Sequence, residues 1–256
     1  MNTKVKLILP FLFFLFITGT FRCNAQRLTP KEIIHQSEAK YNGELCSYGE
    51  MTMTIVRPKY KRTLKFKSWV NKNKKSLAVI TAPAKEKGQS FLKEGKNLWN
   101  WNPTIHRLIK LPPSMMSQGW MGSDISNDDI MKEFSLEKDY THHLNGEENI
   151  AGQKCWKIDL LPLAEANVVW GKVILWISKK GFDQMKAEYY DEDLYLVKTH
   201  QASHLQKFDD RTLPSITVVI PAEDPDNQTR IQIDKMTFNH PTKANFYTQQ
   251  NMKRLK

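Results

Sequence analysis

MTMTIVRPKYKRTLKFKSWV, residues 51–70, changes side-chain character at every second position. Met51, Met53 and Ile55 alternate with Thr52, Thr54 and Val56, and Leu64, Phe66 and Val70 alternate with Lys65, Lys67 and Trp69. A period of two puts successive side chains on opposite faces of an extended chain. The stretch therefore reads as half-buried strands of an antiparallel sheet, and the fold class follows from how far this period extends.

It extends almost everywhere. KSLAVITAP, GQSFLKEG, KNLWNWNP and IHRLIKLP follow as short strands bounded by Gly, Pro or Asn, a meander through residue 111. In the second half Trp156, Ile158 and Leu160 alternate with Lys157 and Asp159. GKVILWISKKGF, DQMKAEYYDEDLYLVKTH, PSITVVIP and TRIQIDKMTF continue the style. Asn145-Gly146 has the chemistry of a tight hairpin turn, Asp191-Glu192-Asp193 that of a polar tip, and the inward set shifts phase between Ile233 and Met236 as at a bulge. About eleven strands exceed what an open sheet holds, so the expected fold is mainly β, an unclosed barrel or half-barrel. Upstream, TPKEIIHQSEAKY (29–41) is the one long helix, with Thr29 as N-cap, Pro30 at the first turn, and Ile33, Ile34, Ser37 and Tyr41 on one face.

The N-terminus sets the expected compartment. Lys4 and Lys6 precede an apolar run from Leu7 to Ile17, too short to span a membrane, and Cys23-Asn24-Ala25 fits a cleavage site before Gln26. Residues 1–25 are read as a secretory signal and 26–256 as one domain, large enough for a substantial core. Arg22 stands where a lipoprotein signal needs a small residue, which disfavours lipid modification of Cys23.

Processing removes Lys4, Lys6 and Arg22 and leaves 35 basic residues against 27 acidic ones. The densest basic stretch, residues 57–75, interleaves its charges with apolar residues. It reads as solvated strand faces, not a nucleic-acid groove, and leaves transient contact with an anionic membrane surface or an acidic partner open. Cys46 and Cys155 remain; an oxidising compartment permits a disulfide, and two small buried hydrophobes are the alternative.

Catalytic patterns are absent from the sequence. His200 and His204 are spaced HxxxH, but without a central Glu and in a strand-like context that separates them. His142 and His143 point to opposite faces of a strand. Asp124, Asp128 and Asp129 read as a helix start capped by Ser126 rather than a cation site. No catalytic residue, metal ligand or cofactor is assigned.

The unusual feature is KLPPSMMSQGWMGSDISNDDIMKEF (110–134), a Pro/Gly/Ser-rich connection holding Met115, Met116, Trp120 and Met121, then a short helix with Ile130, Met131 and Phe134. Just before it, Trp99 and Trp101 share one strand face and Leu98 takes the other. Such side chains either plug a barrel end as core or form a lid over an apolar ligand, with flexible methionines suited to the second role.

Residues 88–130 carry Gly88-x-x-Phe91-Leu92, Leu98-Trp99-x-Trp101-x-Pro103, Arg107-x-Ile109-x-x-Pro112, Gly122-Ser123-Asp124 and Asn127-Asp128-Asp129. GQKCWKIDLLP (152–162) and Phe246-x-Thr248 with Asn251-Met252 extend the pattern. The chain in this respect resembles the outer-membrane lipoprotein-sorting protein family, the LolA-like periplasmic carriers. The resemblance implies an unclosed antiparallel barrel with helices over an apolar cavity that shields lipoprotein acyl chains or other lipid in the periplasm, without catalysis. Cavity and lid would comprise Phe66, Trp99, Trp101, Met115, Met116, Trp120, Met121 and Ile130. No motif carries the latch arginine of that family, and Arg107 is given no such role. The alternative is an accessory scaffold docking on an inner-membrane lipid transporter, and a hydrolase built on His200 and His204 is a distant third. The mature protein is expected to begin at Gln26 without lipid, which N-terminal sequencing and intact mass check; a diacylglyceryl group on Cys23 is the contrary result.

Overall fold

The computed structural model describes residues 28–42, 45–71, 73, 75–131, 135–166, 168–243 and 245–255. The expected signal segment and Phe134 lie outside them. Helix α1 (Pro30–Asn42) begins as its sequence requires. The Thr29 amide and hydroxyl donate to Glu32 Oε2 at 2.7 and 2.9 Å, and the Glu32 amide donates back to Thr29 Oγ1, so two free ends of the first turn are satisfied reciprocally.

Six strands follow: β1 (Cys46–Arg57), β2 (Tyr60–Asn71), β3 (Ser76–Ala82), β4 (Ser90–Glu94), β5 (Asn97–Asn102) and β6 (Arg107–Lys110). After an irregular segment and helix α2 (Asn127–Met131) come β7 (Tyr140–Ile150), β8 (Gln153–Pro162), β9 (Lys172–Ser178), β10 (Gln184–Tyr190), β11 (Leu196–Phe208), β12 (Arg211–Pro221) and β13 (Gln228–Phe238). Helix α3 (Gln249–Met252) closes the chain.

All thirteen strands form one antiparallel sheet in the order β6-β5-β4-β3-β2-β1-β13-β12-β11-β10-β9-β8-β7. Strand β1 starts in the middle, the meander runs out to β6, the chain crosses to β7 at the far edge, and a second meander returns to pair β13 with β1. The sheet is an unclosed barrel, as the strand pattern required.

Register assigns the faces. Across neighbouring strands, Met53, Ile231, Thr217 and Ala202 stand opposite one another, as do Val219, His200, Ala187, Leu175 and Ile158. These rows belong to the concave face. One cluster there joins Ile158, Leu160, Val173 and Leu175 to Ile33 and Ile34 of α1. A second joins Met53, Ile55, Leu64, Phe66, Ile80, Phe91 and Leu98 to Trp120 of the β6–β7 connection. The convex face carries its own layer, where Tyr48, Trp69, Leu77, Leu92 and Trp99 stand opposite one another beneath Phe246, Tyr247 and Met252.

The structure corrects two expectations and decides a question the sequence left open. There are thirteen strands against about eleven expected; β7, which the sequence marked as a strand only at His142-His143, is a largely exposed edge strand with little apolar alternation. Asn145-Gly146 is a bulge inside β7, where the register jumps between Leu144 and Glu147; the turn is Ala151-Gly152, both left-handed at φ 47° and 78°. Left-handed Gly serves both structures, so the dipeptide alone does not choose between them. Cys46 and Cys155 form no disulfide: they lie six strands apart in the sheet as buried free thiols, and burial pushes both thiols up from their ordinary pKa. The bulge between Ile233 and Met236 is present, with Asp234 skipped in the pairing to Glu50 and Met51.

Helix α1 is tied to the sheet by Lys40, which donates to the Gly181 carbonyl at 2.7 Å and to the buried Asp183 carboxylate at 2.5 Å. Burial pushes the Asp183 carboxyl up although Lys40 pulls the other way. Asp183→Ala leaves the ammonium without its carboxylate and is expected to cost about 3 kcal/mol, read as a lowered midpoint in denaturant melts followed by circular dichroism.

Candidate ligand cavity and lid

The segment between β6 and β7 folds as a compact unit on the concave face. Two short 3-10 turns, Pro113–Met115 and Trp120–Gly122, lead into α2. The Asn127 amide donates to Gln118 O and the Asp128 amide to Met116 O at 3.0 and 2.9 Å, folding the helix start back on the loop. At Gly119 a Cβ would sit 2.2 Å from the Ser123 carbonyl oxygen, so only glycine permits this closure. Ser126 and Asp129 form the capping arrangement the sequence implied, with Ser126 N–H and O–H donating to Asp129 Oδ2 and the Asp129 amide donating to Ser126 Oγ.

Trp120 anchors the unit. Only 3 % exposed, it lies edge-on to both Phe66 and Phe91 with ring centroids 5.3 Å apart. Beside it is a cavity of ≈ 190 Å³ lined by Met51, Phe66, Ser68, Ser76, Ala78, Phe91, Leu98, Trp120, Ile125, Ile130 and Ile231. An apolar cavity of about 150 Å³ stays dry and binds benzene, whereas drug-sized ligands need about 300 Å³ or more. At ≈ 190 Å³ the space lies between these two sizes.

Of the residues singled out from sequence, Phe66, Trp120 and Ile130 meet at this cavity, and Met116 and Met121 pack against the same cluster. Met115 is 38 % exposed on the outside of the segment. Trp99 and Trp101 belong elsewhere: they lie on the convex face with Leu77, Leu92, Tyr247 and Met252, while Leu98 of the same strand reaches the cavity. Alternation separated the two faces correctly, but it could not say that the aromatic face is covered by the chain's own C-terminus. Among the cavity residues missed, Phe91, Leu98, Met51 and Ile231 were visible as apolar strand positions without a sign of which side they faced, while Ser68, Ser76, Ala78 and Ile125 carried no signal of a cavity.

Around the apolar contact runs a set of polar ties. Arg57 donates to both Asp124 carboxylate oxygens at 3.0 and 3.1 Å and to the Gly122 carbonyl at 3.2 Å. Thr229 Oγ1 donates to Asp124 Oδ2 at 2.7 Å and accepts from the Asp124 amide. Arg62 donates to the Met121 carbonyl and to Glu86, both at 3.0 Å. On the other side of the segment Lys198 of β11 meets Asp129 of α2 at 2.5 Å, both side chains 7 % exposed, with the ammonium 4.8 Å from the centre of the Trp170 ring. These partners are separated by 24 to 105 residues in the chain, so no local motif announces them.

Burial opposes ionisation of Asp129, but the Lys198 ammonium and the Ser126 donors outweigh it and hold the carboxyl below the ordinary carboxylate range. Burial, then the charge of Asp129, pushes neighbouring Asp128 up. His200 faces the concave interior with its ring 4.8 Å from that of Tyr189, and His204 sits at a left-handed position, φ 58°, within β11. Among the described residues no three His, Cys, Asp or Glu side chains converge to hold a metal, and no helix is long and apolar enough to cross a membrane.

Residues 72–254 match the model of a family described as an uncharacterized protein. Among solved structures, a DUF1329 family protein from Desulfovibrio piger superposes with a TM-score of 0.78 at 22 % identity, covering 87 % of this chain and 97 % of that one. A domain named for outer membrane lipoprotein sorting from Vibrio parahaemolyticus gives 0.75 at 20 % identity, covering 88 % and 98 %. A LolA superfamily protein from Nitrosomonas europaea gives 0.72 at 21 % identity, covering 88 % and 99 %. The fold is thus LolA-like, and none of the three is named for a catalytic activity. Among curated proteins none matches the sequence.

A carboxyl whose pKa folding lowers stabilises the fold above its unfolded value and loses that contribution as pH falls through the lowered one. The Lys198–Asp129 tie is therefore expected to weaken below about pH 4, and Asp129→Asn should flatten that part of the stability–pH profile, Asp128 contributing with opposite sign. Lys198→Met alone should cost about 3–5 kcal/mol, and Lys198→Met with Asp129→Leu clearly less than the two single changes summed; urea melts of the three variants read this out.

Proposed function

Since the chain belongs to the family matched over residues 72–254 and shares its fold with proteins of lipoprotein sorting, we propose that it is a periplasmic carrier that shelters the acyl chains of lipoproteins or other lipids beneath the 111–131 lid. The observation that carries this reading is the cavity between Phe66, Phe91 and Trp120, apolar and bounded on one side by a segment outside the sheet.

The energetics are of the right size. Each acyl methylene removed from water contributes about 0.8 kcal/mol, so ten contribute about 8 kcal/mol. Lifting the lid exposes Trp120, Ile125 and Ile130, at about 1.5–3 kcal/mol for each fully buried side chain, and disturbs charge-assisted hydrogen bonds worth about 1.5–3 kcal/mol apiece. Cargo burial and the lid's apolar burial are thus comparable in free energy, so an acyl chain can replace the apolar contacts that the lid gives up. The Ser68 and Ser76 hydroxyls and the Trp120 indole N–H have no partner among the described residues, and they supply donors for a carbonyl at the head of an acyl chain.

Two substitutions test it. Ala78→Phe fills the cavity and is expected to abolish binding of a fluorescent fatty-acid probe at a stability cost of about 1–3 kcal/mol. Met116→Asp in the lid should swing into water, leaving the melting temperature within a few degrees while acyl-chain binding collapses; in a permanent plug an unpaired carboxylate would cost several kcal/mol. Native mass spectrometry of protein purified from its own source provides the independent measure. A parent that neither binds the probe nor carries lipid, and that copurifies with a membrane protein instead, overturns the carrier in favour of a docking scaffold.

A further inference from the structure

Six connections lie at one end of the barrel, fixed there by strand direction: β5–β6, β3–β4, β1–β2, β12–β13, β10–β11 and β8–β9, in that order around the rim. The lid is fastened at this end, where Arg57 closes β1 and Thr229 opens β13. Charge is segregated along the rim. The first three connections and their flanks present Lys59, Lys61, Lys85, Lys87 and Arg107, all exposed and none paired with a carboxylate among the described residues. Their single carboxylate, Glu86, is taken by Arg62.

The other three connections, residues 222–227, 191–195 and 163–171, contain no Lys or Arg; on their flanks Lys172 is paired with Asp159, and Arg230, exposed beside Gln232, is the one cation without a carboxylate among the described residues. They present Glu223, Asp224, Asp226, Glu192 and Asp193, exposed and without cationic partners among the described residues. The sign changes between β1 and β13, at the centre of the sheet. Apolar tips stand among both sets: Tyr60 and Ile105 on the basic half, Val169, Leu194 and Tyr195 on the acidic half, Tyr195 being 73 % exposed. Leu194 holds a left-handed backbone, φ 63°, within that tip.

A uniformly anionic surface would attract one half of this rim and repel the other. A bipolar face is instead complementary to itself: a two-fold axis lying in the rim plane along the β1/β13 boundary brings each basic half onto the acidic half of a second copy, the isologous arrangement of a symmetric dimer. We propose that the rim is a docking surface for a second copy of this chain, in which the two lids face each other across the interface. The exposed aromatic and aliphatic tips supply the desolvated centre, and the charges set the register. The contact does not depend on what the cavity holds.

The test is a charge exchange followed by sedimentation velocity on the processed chain. The parent should dimerise reversibly, and its dissociation constant should rise at least about tenfold between about 0.1 M and 1 M salt, as the screening length falls from about 10 Å to about 3 Å. K59E/K85E/K87E and E223K/D224K/D226K should each be monomeric alone, yet form a one-to-one dimer when mixed, because one then carries acid on both halves and the other base. Re-formation in the mixture also establishes that both variants are folded. A parent that stays monomeric at low salt, a dimer that persists in either variant alone, or a mixture that fails to associate overturns the proposal. So does a monomeric parent that pelleted with anionic phosphatidylglycerol vesicles, which would assign the rim to a membrane surface.

Discussion

A sheet whose chain leaves at one edge and re-enters at the other must send a connection across its open side. Strands β6 and β7 are those edges, and the described residues 111–131 and 135–139 belong to the crossing. Thirteen twisted strands curl rather than stay flat, so the shortest crossing runs over the concave face. The lid is therefore a consequence of strand order before it is a functional device. Its apolar residues answer a local need, since a connection laid over an apolar hollow must bury its own apolar side or leave that hollow wet.

The forces on the lid are arranged in two zones. At the centre Trp120 between Phe66 and Phe91 supplies non-directional burial, which an apolar ligand can replace atom for atom. At the periphery Arg57–Asp124, Thr229–Asp124, Arg62–Met121 and Lys198–Asp129 supply directional contacts, which fix where the segment sits on the sheet. Arg57 and Thr229 stand on paired strands, because β1 and β13 are neighbours only through the long return of the second meander. The same closure that completes the sheet thus completes the seat for Asp124.

The convex face carries an aromatic cluster of its own. Tyr48, Trp69 and Trp99 form part of a cross-strand row, and Phe246 meets Trp69 edge-on at 5.3 Å while the Ser90 hydroxyl donates to the Met252 carbonyl. First-half strands are thus apolar on both sides, lid within and C-terminal segment without. That double covering is why Trp99 and Trp101, read as one apolar face of a strand, pointed to a cavity they do not line.

Local chemistry in the sequence determined the strands and helices themselves. Alternation over 51–70 and its continuations specified antiparallel strands. Thr29-Pro30 and Ser126 with the acids after it specified helix starts where the structure has them, and residues 88–130 carried the likeness to the lipoprotein-sorting fold. Where the signal was ambiguous in kind, as at Asn145-Gly146, or weak, as along the exposed edge β7, the reading failed in detail. Only the tertiary structure decided which apolar face looks inward, since a period of two distinguishes faces without naming them. It alone also brought Arg57, Arg62, Lys198 and Thr229 to the lid, because those partners meet through sheet order, and sheet order is a property of the whole chain that no local stretch encodes.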